Sequence, residues 1–415
     1  MASIAIYTIT SGLHDETAVE ALSDEFLGSI GLPFDLKGRN FDDFGMADLN
    51  VIYIRTGGAE GIFKDLLPAL QEAGTSYFTL LASGKSNSLA ASLEILSYLR
   101  AHGLAGEVLH GSPDYIRRRM ELLLGVASAR VSLGGTGIAV VGDPSDWLIA
   151  SDADREAALN KLGVSIMDVP MEKLLSAFEA EKAKPLQDDP YSSAASGTPA
   201  ACVRSSVPDA VRIYSALRAV VDEGSFGALT LRCFDLLGSV HNTGCYALAR
   251  LNSEGIPSSC EGDVPALLSM MVSRALTGSS SFQANPASID VETGEILFAH
   301  CTIPFDMVDS YSYDTHFESG IGVGIHGHFP EGPVTVFKLS GRLDRAFIAE
   351  GELLANQYEQ NLCRTQVRLR LSPDAARYFL TDPIGNHHII IPGHHGSLLQ
   401  EFCRVTQITD NQLFT

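Results

Sequence analysis

The chain has 415 residues, of which 45% are hydrophobic and 19% charged, and its formal net charge is −21. That length is ample for two or three domains with large cores. The negative balance speaks against nucleic acid and anionic membrane surfaces, which need a basic face, and fits a soluble enzyme acting on a neutral substrate or on an anionic one met by a local cation.

The opening "MASIAIYTIT" reads as a strand and lacks the basic region, apolar run and small-residue cleavage site of a signal peptide. No apolar run reaches about 18 residues, so no transmembrane helix is expected. Seven cysteines without a CxxC pair point to a reduced, cytoplasmic protein with buried free thiols.

In the first third, short apolar runs ("SIAIYTI", "NVIYIRTGG", "SYFTLLASG", "GEVLHG") end in turn residues and alternate with amphipathic stretches such as "IFKDLLPALQEAG". This pattern predicts a parallel sheet covered on both faces. "YIRRRMELLLGVASARVSLGG" reads as a long helix. A second βα series begins at "GTGIAVVGDPSDWLIAS" and continues through "GVSIMDVPM" and "FGALTLRCFDLL". Between the last two, "EKAKPLQDDPYSSAASGTPAACVRSSVPDA" is small, polar and proline-containing, and reads as a loop, lid or insertion. After about residue 279 helical period gives way to stretches such as "GEILFAHCTIP", "GPVTVFKLSG", "RTQVRLRL" and "HHIIIPGHH", several of which alternate with period two. The predicted fold class is α/β, with two Rossmann-like α/β domains on parallel sheets (1–134 and 135–278) followed by an antiparallel β-barrel-like domain (279–415).

The stretch "CEGDVPALLSMMVSRALTG" sets two acids, Glu261 and Asp263, against an apolar helix. Asp263 suits the N-cap and Pro265 the first turn. Asp263 reads first as a cap and second as a hydrogen-bond partner to a ligand. Capping explains Glu261 poorly, because it precedes the cap and sits beside Gly262. Eight of the twelve histidines lie at or after residue 300, and strands carrying "AHC" and "NHHIIIPGHH" can present imidazoles to one point. A carboxylate and imidazoles without a thiolate cage suit Mn²⁺, Co²⁺, Fe²⁺ or Zn²⁺. The plainer account is that strand histidines make ordinary hydrogen bonds.

"CEGDVPALLSMMVSRALTG", "FAHCTIP" and "GNHHIIIPGHHGSLLQEF", in this domain order, resemble the L-fucose isomerase and L-arabinose isomerase superfamily, and "TGGAEG" with "NSLAASLEIL" resembles its fucose-isomerase-like branch. The resemblance implies a divalent metal, Mn²⁺ first, and an aldose–ketose isomerisation through an enediol. It makes Glu261 a metal ligand and acid/base group, His387 the C-terminal ligand with His388 beside it in an open register, and His300 a further ligand. The second acid of these enzymes falls 24 residues beyond Glu261, at Asn285. An amide oxygen can bind metal but cannot carry a proton, so an epimerase, a lyase or a non-catalytic sugar-binding protein on the same scaffold stays open. Asp290 is the nearest aspartate. The resemblance also implies a sugar substrate and a homo-oligomer built from trimers, with Asn87 of "SGKSNS" touching substrate in a neighbouring subunit. Arg232 stands at a predicted strand end, where sites of α/β sheets gather, and is a candidate for substrate binding.

Overall fold

The computed structural model describes residues 3–186, 188–194 and 199–415. The chain divides into two compact units, Met1–Val131 and Ser132–Thr415. In the first, β1 (Ile4–Ile9), β2 (Asp35–Gly38), β3 (Leu49–Ile54), β4 (Tyr77–Ala82) and β5 (Ala105–Leu109) form one parallel sheet in the order β2-β1-β3-β4-β5. The apolar runs of β1 and β3 are buried almost throughout, as strands covered by helices on both faces must be. The polar "DLKG" of β2 escaped the sequence reading because it is a short, exposed edge.

The second unit begins with a four-stranded parallel sheet. Its strands are β6 (Gly137–Val141), β7 (Ser165–Val169), β8 (Ala228–Leu231) and β9 (Ser258–Cys260), in the order β7-β6-β8-β9. The chain leaves β6 to one side and returns for β8 on the other. That reversal makes a crevice outside the carboxyl ends of β6 and β8, the usual ligand position in such sheets. Residues 142–149, Arg232 and Glu261 follow the carboxyl ends of β6, β8 and β9.

The rest of this unit is all-β: β10 (Phe282–Asp290), β11 (Glu295–His300), β12 (Ser310–Asp314), β13 (Gly324–His328), β14 (Gly332–Leu339), β15 (Arg345–Gln357), β16 (Thr365–Arg370), β17 (His388–Pro392) and β18 (Asp410–Phe414). Six of these strands close an antiparallel barrel, β14-β17-β10-β11-β16-β15, through the pairing of β14 with β15. β18 joins β15 in parallel, and β12 with β13 makes a separate hairpin. Alternate residues Ile296 and Phe298, Val334 and Val336, and Val367 and Leu369 fill the interior, each large side chain contributing about 1.5–3 kcal/mol by its burial. The expected α/β class with a C-terminal antiparallel barrel is what the chain adopts.

The loop expected over residues 181–210 is corrected in its second half. Ala201–Gly224 is one helix that contains Pro208 and buries Val203, Ala210 and Val211. These apolar positions recur at helical spacing beneath small polar residues, and that face packs into the barrel core. Within the same stretch, residues 187 and 195–198 lie outside the described residues. Among the described residues no helix is long and apolar enough to cross a membrane.

Candidate metal centre

β9 ends at Cys260, and the next two residues turn the chain into the helix Val264–Thr277. Glu261 adopts φ 66° and Gly262 φ 74°. For a glutamate the left-handed region costs about 1–3 kcal/mol and persists only where its surroundings impose it. Here Ser145 N–H donates to Glu261 O at 2.9 Å and Gly262 N–H to Leu231 O at 3.1 Å. A Cβ on Gly262 would stand 2.6 Å from Pro144 Cα, so glycine is required for the loop after β6 to lie against this turn. Asp263 caps the helix, accepting from Ala266 N–H at 2.7 Å. Gln283 of β10 accepts from Cys260 N–H at 2.8 Å and fixes the end of β9.

Glu261, His300 and His387 offer three donor atoms that all lie within 4.8 Å of one another. Glu261 Oε1 is 3.4 Å from His387 Nε2 and 3.8 Å from His300 Nε2. Each imidazole is aimed by its other nitrogen. His387 Nδ1 lies 2.9 Å from Asp263 Oδ2, and His300 Nδ1 lies 2.8 Å from Thr302 Oγ1. This carboxylate–histidine arrangement is how proteins orient metal-binding imidazoles. The fit to a cation is also visible in an atom left over: among the described residues His387 Nε2 is buried without a hydrogen-bond partner, as is Asn285 Oδ1 on β10. Two imidazole nitrogens and a carboxylate suit a first-row divalent ion.

Burial works to raise the pKa of Glu261, but the imidazoles of His300 and His387 beside it outweigh that and hold the carboxyl well below its usual range. Burial likewise opposes charge on His387, yet Asp263 and Glu261 push it up to about 9. Asp263 sits at about 2, where burial is overcome by Lys338 and His387. Lys338, buried to 1% exposure, stands 3.5 Å from both Asp263 oxygens. Burial pushes its pKa down, and its one carboxylate partner does not fully restore it.

Of the two adjacent histidines, His387 is the one that faces Glu261. His388 begins β17 and points into the barrel core, where Tyr378 Oη lies 3.1 Å from its Nε2. His387 stands just before the strand and turns toward Glu261. Asn285 lies on β10, between the strand of His300 and the start of β17. Asp290 is exposed at the far end of β10, where it closes a turn through Glu292 N–H. Arg232 is engaged within the sheet-end loops: it donates to Pro144 O at 3.0 Å, Asp146 Oδ2 at 3.2 Å and Asp235 Oδ1 at 3.1 Å. Asn87 belongs to the first unit, at the N-terminus of the helix Ser88–Ala101 with φ 59° and without a side-chain capping bond.

Two residues of the site were not anticipated. Trp147 Nε1–H donates to Glu261 Oε2 at 2.6 Å; its signal was an aromatic residue in the turn after β6, at a sheet end. Lys338 shares the alternate register of Val334 and Val336, an inward row in which a lysine is out of place. All seven cysteines are free; Cys202 is exposed and Cys363 half-buried, against the expectation of buried thiols, and the other five are buried. The Sγ atoms of Cys233 and Cys260 are 2.9 Å apart.

No family model matches the chain. Its curated relatives are sugar isomerases by name. A sulfoquinovose isomerase of Clostridium sp. (strain MSTE9) is 31% identical over 183 residues, 40% of this chain and 39% of that protein. Sulfoquinovose isomerases of Priestia aryabhattai and Priestia megaterium are each 24% identical over 303 residues, 70% of this chain and 67% of theirs. The first match thus spans less than half of the Clostridium protein.

Proposed function

We propose that the chain is a divalent-metal-dependent sugar isomerase that interconverts an aldose and a ketose through an enediol, within the fucose and arabinose isomerase superfamily. The observation that carries this reading is the convergence of the His300 and His387 Nε2 atoms on Glu261 Oε1, and the names of the relatives support it. Glu261, His300 and His387 hold the ion, with the Asn285 amide oxygen as a further ligand. When bound, the ion, Mn²⁺ first, supplies Lewis-acid stabilisation of charge on the sugar oxygens.

Glu261 accepts the proton that moves between C1 and C2. Asn285 contributes position and polarity but no proton, which leaves Glu261 as the proton carrier of the set. The buried pair Lys338 and Asp263 keeps His387 facing the ion. The relatives' names make a sulfonated hexose the first substrate to test, ahead of neutral aldoses.

The deciding experiment incubates Mn²⁺-loaded protein in D₂O with sulfoquinovose, fucose and arabinose, and follows C1 and C2 deuterium and ketose formation by NMR. Deuterium uptake with ketose, lost on chelation and in Glu261→Gln, is expected. Uptake without ketose would assign an epimerase or lyase instead. Ketose formation that survives both chelation and Glu261→Gln would overturn the proposed mechanism.

A further inference from the structure

Trp147 is the only tryptophan of the chain, and half of its surface, 51%, is exposed. Tryptophan is seldom fully buried, but this indole is held in place from several sides. Its ring meets Phe234 edge to face at 4.8 Å. Its loop is tied down by Arg232 on Pro144 O and Asp146, and by Ser145 N–H on the Glu261 carbonyl. All of this brings one N–H to one atom, Oε2 of Glu261, at 2.6 Å.

We propose that Trp147 is the positioning residue that makes Glu261 a single-oxygen ligand for a divalent cation. The inference rests on the metal reading above and goes further, to how the carboxylate is oriented. A carboxylate offers two oxygens to an ion and rotates between them. With Oε2 held by the indole, Oε1 is left facing the two imidazoles. Indole suits this task because it is a donor only and carries no charge. A lysine or arginine at the same point would cancel the charge that draws the cation, and a serine or histidine could itself become a ligand. The short distance fits a hydrogen bond to an ionised acceptor.

Because there is one tryptophan, there is one indole N–H resonance to observe. In the ¹⁵N-labelled, metal-free chain this resonance is expected downfield of a solvent-exposed indole, and it should move back in Glu261→Gln. Free Mn²⁺ measured by electron paramagnetic resonance should show affinity about 10- to 100-fold weaker in Trp147→Phe, with the thermal unfolding transition recorded alongside. A wild-type resonance at the exposed position overturns the proposal, and does so even where Trp147→Phe fails to fold. So does a folded Trp147→Phe that binds Mn²⁺ within twofold of wild type; that result leaves the metal reading standing. A wild-type chain that binds no Mn²⁺ overturns both.

Discussion

Nδ1 of His387 lies 2.9 Å from Oδ2 of Asp263, the residue whose other oxygen starts the helix Val264–Thr277. One carboxylate therefore caps a helix, orients an imidazole and faces the buried Lys338. These tasks separate in Asp263→Asn. Asparagine caps about as well as aspartate, so the helix start survives. Lys338 is left without its counter-charge, which costs on the order of 3–5 kcal/mol. Adding Lys338→Met should restore most of that stability in urea unfolding. The Mn²⁺ affinity of the double variant should stay about tenfold low. Full recovery of both would show that Asp263 acts on the fold alone.

Asn285 gives a sharper division. Its Oδ1 is buried and makes no hydrogen bond, so Asn285→Ala should change the stability of the metal-free chain by less than about 1 kcal/mol. Mn²⁺ affinity should fall several-fold in the same variant. Asn285→Asp supplies the missing proton carrier, and deuterium exchange into substrate should rise on the order of 100-fold. A rate equal to wild type would show that the site is complete without a second acid.

His388 sets an acid limit on folding. Burial pushes its pKa down to about 3, whereas an unfolded imidazole titrates near 6.5. Because the folded value is depressed, its contribution is fully present above pH 6.5 and is lost as pH falls from 6.5 to 3, the window in which the unfolded chain holds the proton and the folded chain does not. His388→Phe, among Phe347 and Phe379, removes that titration. Unfolding free energies from urea titrations between pH 6 and pH 4 should fall less steeply in the variant, by about 1.4 kcal/mol per pH unit. Parallel slopes would locate the acid sensitivity elsewhere.

Arg232 holds the loop that carries Trp147. Arg232→Met leaves Pro144 O and Asp146 without that donor and frees the loop. Tryptophan emission should shift to the red as the indole enters water, while global stability drops by about 1 kcal/mol or less. An unmoved emission spectrum would mean that Phe234 and the turn at Gly262 suffice to hold the loop.

The architecture was readable because burial writes itself into period. Two-sided burial gave β1 and β3 nearly continuous apolar runs, and one-sided burial gave residues 365–370 their alternation. Glu261 stood out because capping accounts poorly for an acid that precedes the cap. The His387 and His388 choice was not, since one residue of register sends a side chain to the opposite face. Trp147 comes from a turn 114 residues before Glu261, and nothing local links the two. Lys338 was hidden by composition: a lysine in a strand reads as a solvent-facing residue, and only the partner carboxylate explains its place inside. The helix over 201–224 was masked by its serines and Pro208, which look like a loop when the buried face is not counted.

The closed barrel has a consequence for which ions the proposed site would accept. His300 ends β11, His387 leads into β17, and only β10 stands between them. Their separation is therefore two strand spacings, about 9–10 Å between backbones, and a ring without a free edge cannot slide or splay to change it. Calcium takes six to eight oxygen donors in a pliable shell. If the proposed site holds its ion between these histidines, a cradle of fixed width with two nitrogen donors should bind Ca²⁺ more weakly than a first-row ion, its width set by the strand-to-strand hydrogen bonds of the barrel itself.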